Sequence, residues 1–182
     1  MIVEIGPYND GETERVENIQ IANYDTWNMD YTLGLIVYPM LLQLRETKHG
    51  SPLIDLEDVP PELRMSYEGG AGAPLQYDFF YDDVEKLQEE LMHKRWEWVL
   101  NEMIFAFENK INNDWQDQFH SGESDIVWKP VNYVDSDGVK YYEMTLGPND
   151  THVFDQEGYT AYQDRISNGF RLFGKYYEAL WD

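Results

Sequence analysis

The sequence predicts an α+β fold, mainly helical, in which three long helices pack together with one or two small β-hairpins at the edge. Three observations carry this. The stretch from His93 to Lys110, HKRWEWVLNEMIFAFENK, is apolar at Trp96, Val99, Leu100, Met103, Ile104 and Phe107, the spacing of one helical face. It is apolar again at Trp98, Phe105 and Ala106 on the opposite side, and a helix apolar nearly all round must be wrapped by other segments. Two further long stretches, one on each side of it in the chain, repeat apolar residues at helical spacing, while short runs bounded by turn residues have the pattern of hairpins.

Residues 1–22 read as an N-terminal hairpin. Ile2 to Ile5 alternates with polar neighbours and is stopped by Gly6-Pro7, Arg15 to Ala22 gives a second strand, and Asn9-Asp10-Gly11 supplies the turn. The first helix spans 25–49, with Asp25 or Thr26 as its cap. Its stripe is Leu33, Ile36, Val37, Met40, Leu41 and Leu44. Pro39 predicts a kink, and Gly50 with Pro52 ends it. Residues 51–81 are irregular: Pro60-Pro61-Glu62 can open a helical turn, and Glu68 to Pro74, EGGAGAP, is a mobile Gly-rich loop that lacks the Lys-Ser/Thr ending of a phosphate-binding loop. The central helix spans 82–110, capped by Asp82 or Asp83 and amphipathic at first through Val84, Leu87 and Leu91. Asp114 to Ser124 reads as loop. Asp135-Ser136-Asp137-Gly138, between YV and VKYYEMTL, marks a second hairpin within Val131 to Leu146. The last helix spans 155–181, capped by Asp155, with Tyr162, Ile166, Phe170, Phe173, Tyr177 and Leu180 as its stripe. Gly169 and Gly174 lower its propensity by about 1 kcal/mol each, which predicts close approach of another backbone or a bound group.

With 182 residues, 42% of them hydrophobic, the chain suits a single domain over 1–182 with a sizeable core. It has no run of about 18 apolar residues, and MIVEIGPYND lacks the basic start and apolar core of a signal peptide, so neither a membrane span nor a secretory leader is expected. Cysteine is absent, which excludes disulfides, thiolate metal sites and cysteine nucleophiles. Thirty-five acids against 13 bases give a net charge of −22. Such a balance repels DNA and anionic lipid, so nucleic acid and membrane are not expected partners. Carboxylates standing in for phosphates at a basic groove would be one use of it; solubility is the simpler one.

The wording and order of several segments are distinctive: DTWNMDYTLGLIVYPMLLQLRETKHGSP, then DLEDVPPEL, KRWEWVLNEMIFAFE and DRISNGFRLFGKYYEALWD. Together they resemble a family of uncharacterised proteins of tailed bacteriophages, over roughly the whole chain after the first strand. The family pattern commonly has Asp where this chain has Asn101 and His where it has Tyr31. The resemblance implies a viral product acting in an infected bacterium, in the host cytoplasm or the virion, and it supplies no activity.

Among the ionisable residues Glu102 is the most informative. Its helical neighbours are Trp98, Val99, Phe105 and Ala106, so its carboxylate is desolvated and needs a partner or a raised pKa. Arg165, beside Tyr162, Asn168 and Gly169, is the best candidate, and Asn168 and Lys175 extend a polar strip along the last helix. Asp30, flanked by Thr26, Trp27, Leu33 and Gly34, offers a second semi-buried acid. Asp30, Glu102, Arg165, Asn168 and Lys175 therefore form the candidate polar site, although an interhelical network that fixes packing is the favoured reading of these groups.

Metal chemistry has less behind it. His93 and Glu97 share a helical face, but HKRWE lacks the second His of HExxH, and His49, His120 and His152 are scattered. Asp82, Glu85 and Glu89 resemble the acidic strips of helical Mg²⁺ pyrophosphatases without the paired spacing, and acids favour helix starts in any case. No GxSxG elbow or Walker sequence occurs. Tyr141, Tyr142, Tyr176 and Tyr177 suit either a pocket for a ring or a core position. No catalytic residue, cofactor or metal is assigned. The expectation is a non-enzymatic, acidic accessory protein that binds a host or viral protein. The alternatives are a nucleotide-like ligand held at Arg165, Asn168 and Lys175, and a divalent-metal hydrolase using Asp30 and Glu102.

Overall fold

Helix α2 (Tyr81–Ile111) is the axis around which the chain is arranged, and both α1 (Met29–Thr47) and α3 (Gln156–Lys175) pack against it. The computed structural model describes residues 1–7, 15, 17–64, 81–134 and 138–181. The described residues also form three antiparallel strand pairs: β1 (Ile2–Ile5) with β2 (Glu17–Gln20), β3 (His120–Ser121) with β6 (Val153–Phe154), and β4 (Ile126–Val134) with β5 (Lys140–Leu146). The fold is therefore α+β, with three long packed helices.

The two-sided apolar pattern of α2 has a direct structural cause. Trp96, Val99, Leu100, Met103, Ile104, Ala106 and Phe107 are all buried, since the helix is covered on more than one side. Leu41 from α1, Leu172 and Tyr176 from the end of α3, and Ile54 and Val59 from the segment between α1 and α2 complete the core. Phe107 meets Phe170 and Phe173 edge-on at 5.1 and 4.9 Å. Close approach of α3 is made possible by Gly169: a Cβ there would collide with the Glu102 carbonyl and with Ala106.

Several boundaries differ from the sequence reading. Helix α1 starts at Met29 and not at the Asp25 or Thr26 cap; these residues lie in a 3₁₀ turn, Asn23–Thr26. Asp25 accepts from the Ala22 backbone at 2.7 Å, so its carboxylate faces back along the chain and cannot cap α1. Pro39 lies inside α1, and Pro61 opens a 3₁₀ turn at Pro61–Leu63 as expected. Strand β2 covers only Glu17–Gln20 of the expected Arg15 to Ala22. Asp114 to Ser124 is not plain loop: Asn113–Phe119 is 3₁₀ helix, followed by β3. The reason is aromatic packing, with Trp115 stacked on Tyr159 and Tyr162 at 5.5 and 5.2 Å. Asp155 caps α3 through Gly158 N at 2.9 Å, but the helix ends at Lys175, five residues before Leu180. Gly174 has open space around a Cβ, so its expected close contact is absent and Gly169 alone of the pair meets another helix.

Four expectations fall outside the described residues: the Asn9-Asp10-Gly11 turn, the Gly-rich loop from Glu68 to Pro74, the Asp135-Ser136-Asp137 turn, and the side chains of Asp82, Asp83, Val84 and Glu85.

The β4–β5 ribbon is longer than the second hairpin read from sequence, because β4 begins at Ile126 and not at Val131. The Gly147 amide donates to the Asp125 carbonyl at 2.7 Å. Counting along the ladder from there, Ile126–Leu146, Trp128–Met144 and Pro130–Tyr142 are non-hydrogen-bonded pairs, whose side chains stand closest. Pro130 is tolerated for the same reason: its nitrogen faces away from β5.

Candidate functional site

Of the five residues of the candidate polar site, the structure brings two together. Arg165 donates to both oxygens of Glu102, Nη2 to Oε1 at 2.7 Å and Nε to Oε2 at 3.0 Å. Glu102 is buried, whereas half of the Arg165 side chain is exposed, so the pair bridges core and surface. The guanidinium lies 3.8 Å from the centroid of the Phe105 ring, and its pKa is raised further by the Glu102 hydrogen bonds. A carboxylate with no polar neighbour on its own helix is thereby satisfied from the next.

The other three residues lie elsewhere. Asp30 is exposed, not semi-buried, and pairs with Lys110 at the far end of α2, whose hydrogen bond lowers the Asp30 pKa. Eight residues of helix, about 12 Å, separate Lys110 from Glu102, too far for Asp30 and Glu102 to share a cation. Asn168 accepts from Arg171 Nε at 3.0 Å and takes no part in the Glu102–Arg165 pair. Lys175, about 15 Å along α3 from Arg165, belongs to a second cluster.

That second cluster centres on Asp58, which the sequence reading did not single out. Asp58 is only 6% exposed. Its Oδ1 accepts from Arg171 Nη2 at 2.7 Å; its Oδ2 accepts from the Tyr176 hydroxyl at 2.7 Å and lies 2.5 Å from Lys175 Nζ. Lys175 also reaches Asp55 at 2.6 Å, and the Tyr176 oxygen accepts from the Asp55 amide at 3.0 Å. Burial by itself would raise the Asp58 pKa; the bonds from Lys175, Tyr176 and Arg171 outweigh it and hold the carboxyl below its ordinary value. Burial, then the bond to Asp58, pushes the Tyr176 phenol up to about 12. The Lys175 ammonium is held above its ordinary value, first by Asp55 and then by Asp58. Both carboxylate oxygens are engaged, so the cluster fastens the segment after α1 onto the end of α3.

Smaller polar contacts do similar work. Asn109 accepts from the Tyr162 hydroxyl at 2.9 Å, and Asn101 accepts from Arg45 at 3.0 Å. His93 meets Ser51 at 2.8 Å. His120 and His152, far apart in sequence, share a 2.9 Å ring nitrogen contact across the β3–β6 pair. Among the described residues no group of three or more His, Asp or Glu is placed to hold a metal ion, and no helix is long and apolar enough to cross a membrane.

A concavity lies apart from both clusters. A groove of about 730 Å³ runs between α1 and the end of the chain, lined by Val37, Met40 and Leu44 on one wall and Phe173, Tyr177 and Trp181 on the other. Met40 and Tyr177 are each 65% exposed and Trp181 73%. Gln43 and Thr47 are its polar lining, and no charged side chain lines it. Sequence reasoning placed Met40 and Tyr177 on core stripes; Met40 lies on a side of α1 that is left exposed while Leu41 is buried, and Tyr177 lies past the end of α3. Of the four singled-out tyrosines, Tyr176 is buried on Asp58, Tyr177 borders the groove, and Tyr141 and Tyr142 stand on β5. No family model, curated protein or solved structure matches this chain.

Proposed function

We propose that this chain is a non-enzymatic accessory protein of a tailed bacteriophage, acting in the host cytoplasm, that receives an apolar segment of a host or viral protein in the groove between α1 and the C-terminal turn. The phage assignment is supported by the wording and order of the segments quoted above, WNMDYTLGLIVYPMLLQL and RISNGFRLFGKYYEALWD among them.

The single observation that carries the binding reading is the composition of the groove: apolar on both walls, open, and rimmed by large side chains in water. A site for a small polar metabolite needs a few converging polar groups to orient it. This groove offers Gln43 and Thr47. It suits instead the apolar face of a helix, whose anchors at three- and four-residue spacing enter such a groove. The hydrolase reading has less support, because Asp30 and Glu102 face different cations at separate places.

Affinity capture from infected cells tests the reading with two baits, the wild-type chain and Met40→Glu. A protein retained by the first and lost from the second is the expected result, with Leu33→Glu, on α1 outside the groove, behaving as wild type. Identical capture by all three baits would defeat it.

A further inference from the structure

The β4–β5 ribbon presents a contradiction. A two-stranded hairpin is at best marginally stable in water; it needs further strands or a helix against its apolar face. Among the described residues this ribbon makes no substantial contact with α1, α2 or α3. Yet its register gathers Ile126, Trp128 and Pro130 with Tyr142, Met144 and Leu146 on one face. The five large ones among them, from Ile126 at 47% to Leu146 at 70%, are exposed. Val127, Lys129, Tyr141, Glu143 and Thr145 occupy the other face, which is the more polar. The ribbon thus has an inside and an outside, and among the described residues none of the helices packs substantially on the inside.

We infer that this face is a homotypic interface, packed against the same face of a second copy of the chain across a two-fold axis. Charge identifies the occupant. The chain as a whole carries −22, so two copies repel over most of their surface. The strands of the ribbon carry Lys129, Lys140 and Glu143, a local balance of two positive and one negative charge, and the apolar face carries no charge. A basic partner would be drawn to the acidic surface elsewhere; a second copy meets least repulsion here. Shape agrees. A two-fold interface must be self-complementary, and two apolar ribbon faces laid together make a small sandwich without matching of unlike groups. Addition of a strand at an edge would lengthen the sheet and leave the same side chains in water. The face offers on the order of 600 Å² per copy, below the roughly 800 Å² of a standard interface, so the dimer is weak and reversible.

Sedimentation of the full chain from micromolar to near-millimolar concentration tests this. A monomer–dimer equilibrium is expected, strengthened by added salt as repulsion is screened. Trp128→Lys and Met144→Lys should each weaken association about tenfold or more. Val127→Lys, which adds the same charge to the opposite face, should leave it unchanged. A chain monomeric at every concentration overturns the proposal and leaves the face to a different protein. A dimer indifferent to Trp128→Lys and Met144→Lys, or weakened equally by Val127→Lys, also overturns it. Hydrogen exchange on the wild-type chain needs no variant: protection of amides in 126–134 and 140–146 should rise with concentration, and exchange independent of concentration overturns the proposal.

Discussion

At Asp58 a buried carboxylate faces two cations and a phenol, and at Glu102 one faces a single forked cation. The two respond differently to perturbation. Asp58 has a depressed folded pKa, so its contribution is present above the unfolded carboxylate value and lost as pH falls through the folded one. Tyr176 and Lys175 have raised values, so theirs is present below the unfolded values and lost as pH rises through the folded ones. Denaturant titrations across pH should therefore show stability falling below about pH 4 and again from about pH 10. The alkaline loss should flatten in Tyr176→Phe, and an unchanged alkaline limb would contradict the assignment. For Glu102 and Arg165, Glu102→Gln and Arg165→Met should each cost about 1–3 kcal/mol, less than for a fully buried pair because Arg165 is half in water. The double variant should recover part of the loss, and strict additivity in chemical denaturation would show that the pair is not coupled. Glu102 was legible in the sequence because four apolar helical neighbours oblige a carboxylate to find a cation. Asp58 was not: its hydrogen-bond partners stand 113 and 118 positions away, and no local pattern marks it. Asp30 misled because Leu33 and Gly34 mark an apolar face only where a neighbour covers it, and Leu33 is exposed.

At the scale of elements, the interface of α2 with α3 is set by one glycine. Gly169 lies against the Glu102 carbonyl and Ala106, so Gly169→Ala must push α3 outward and should destabilise by about 1–3 kcal/mol. Gly174, five residues on, has open space, and Gly174→Ala should stabilise by up to about 1 kcal/mol. Thermal unfolding of the two variants side by side checks the contrast, and equal shifts would refute it. Both glycines look alike in sequence, since the helical period says which face they occupy and not what stands opposite. The same boundary of inference explains the other differences. Helix existence and the two-sided burial of α2 follow from local periodicity. The 3₁₀ segment at Asn113–Phe119 does not, because Trp115 and Phe119 are held by Tyr159 and Tyr162 from a helix some forty residues away.

For the whole molecule, the charge of −22 sets the terms on which the fold persists. Like charges spread over one small surface oppose compaction, and salt relieves this. The melting temperature should accordingly rise by several degrees between about 10 mM and 0.2 M sodium chloride. A flat or falling dependence would mean that the ion pairs at Asp58 and Glu102 outweigh the general repulsion.

Pro130 has a consequence at this same scale. Strand edges that accept further strands can repeat without end, and the product is a filament. Endless growth of a ribbon requires two receptive edges. Pro130 turns its nitrogen toward the outer edge of β4 and leaves that row of donors broken, so only the β5 edge remains continuous. Through its edges, a ribbon with one such edge can join one other at most. The proline therefore blocks endless edge-to-edge extension of an apolar hairpin while leaving its face open.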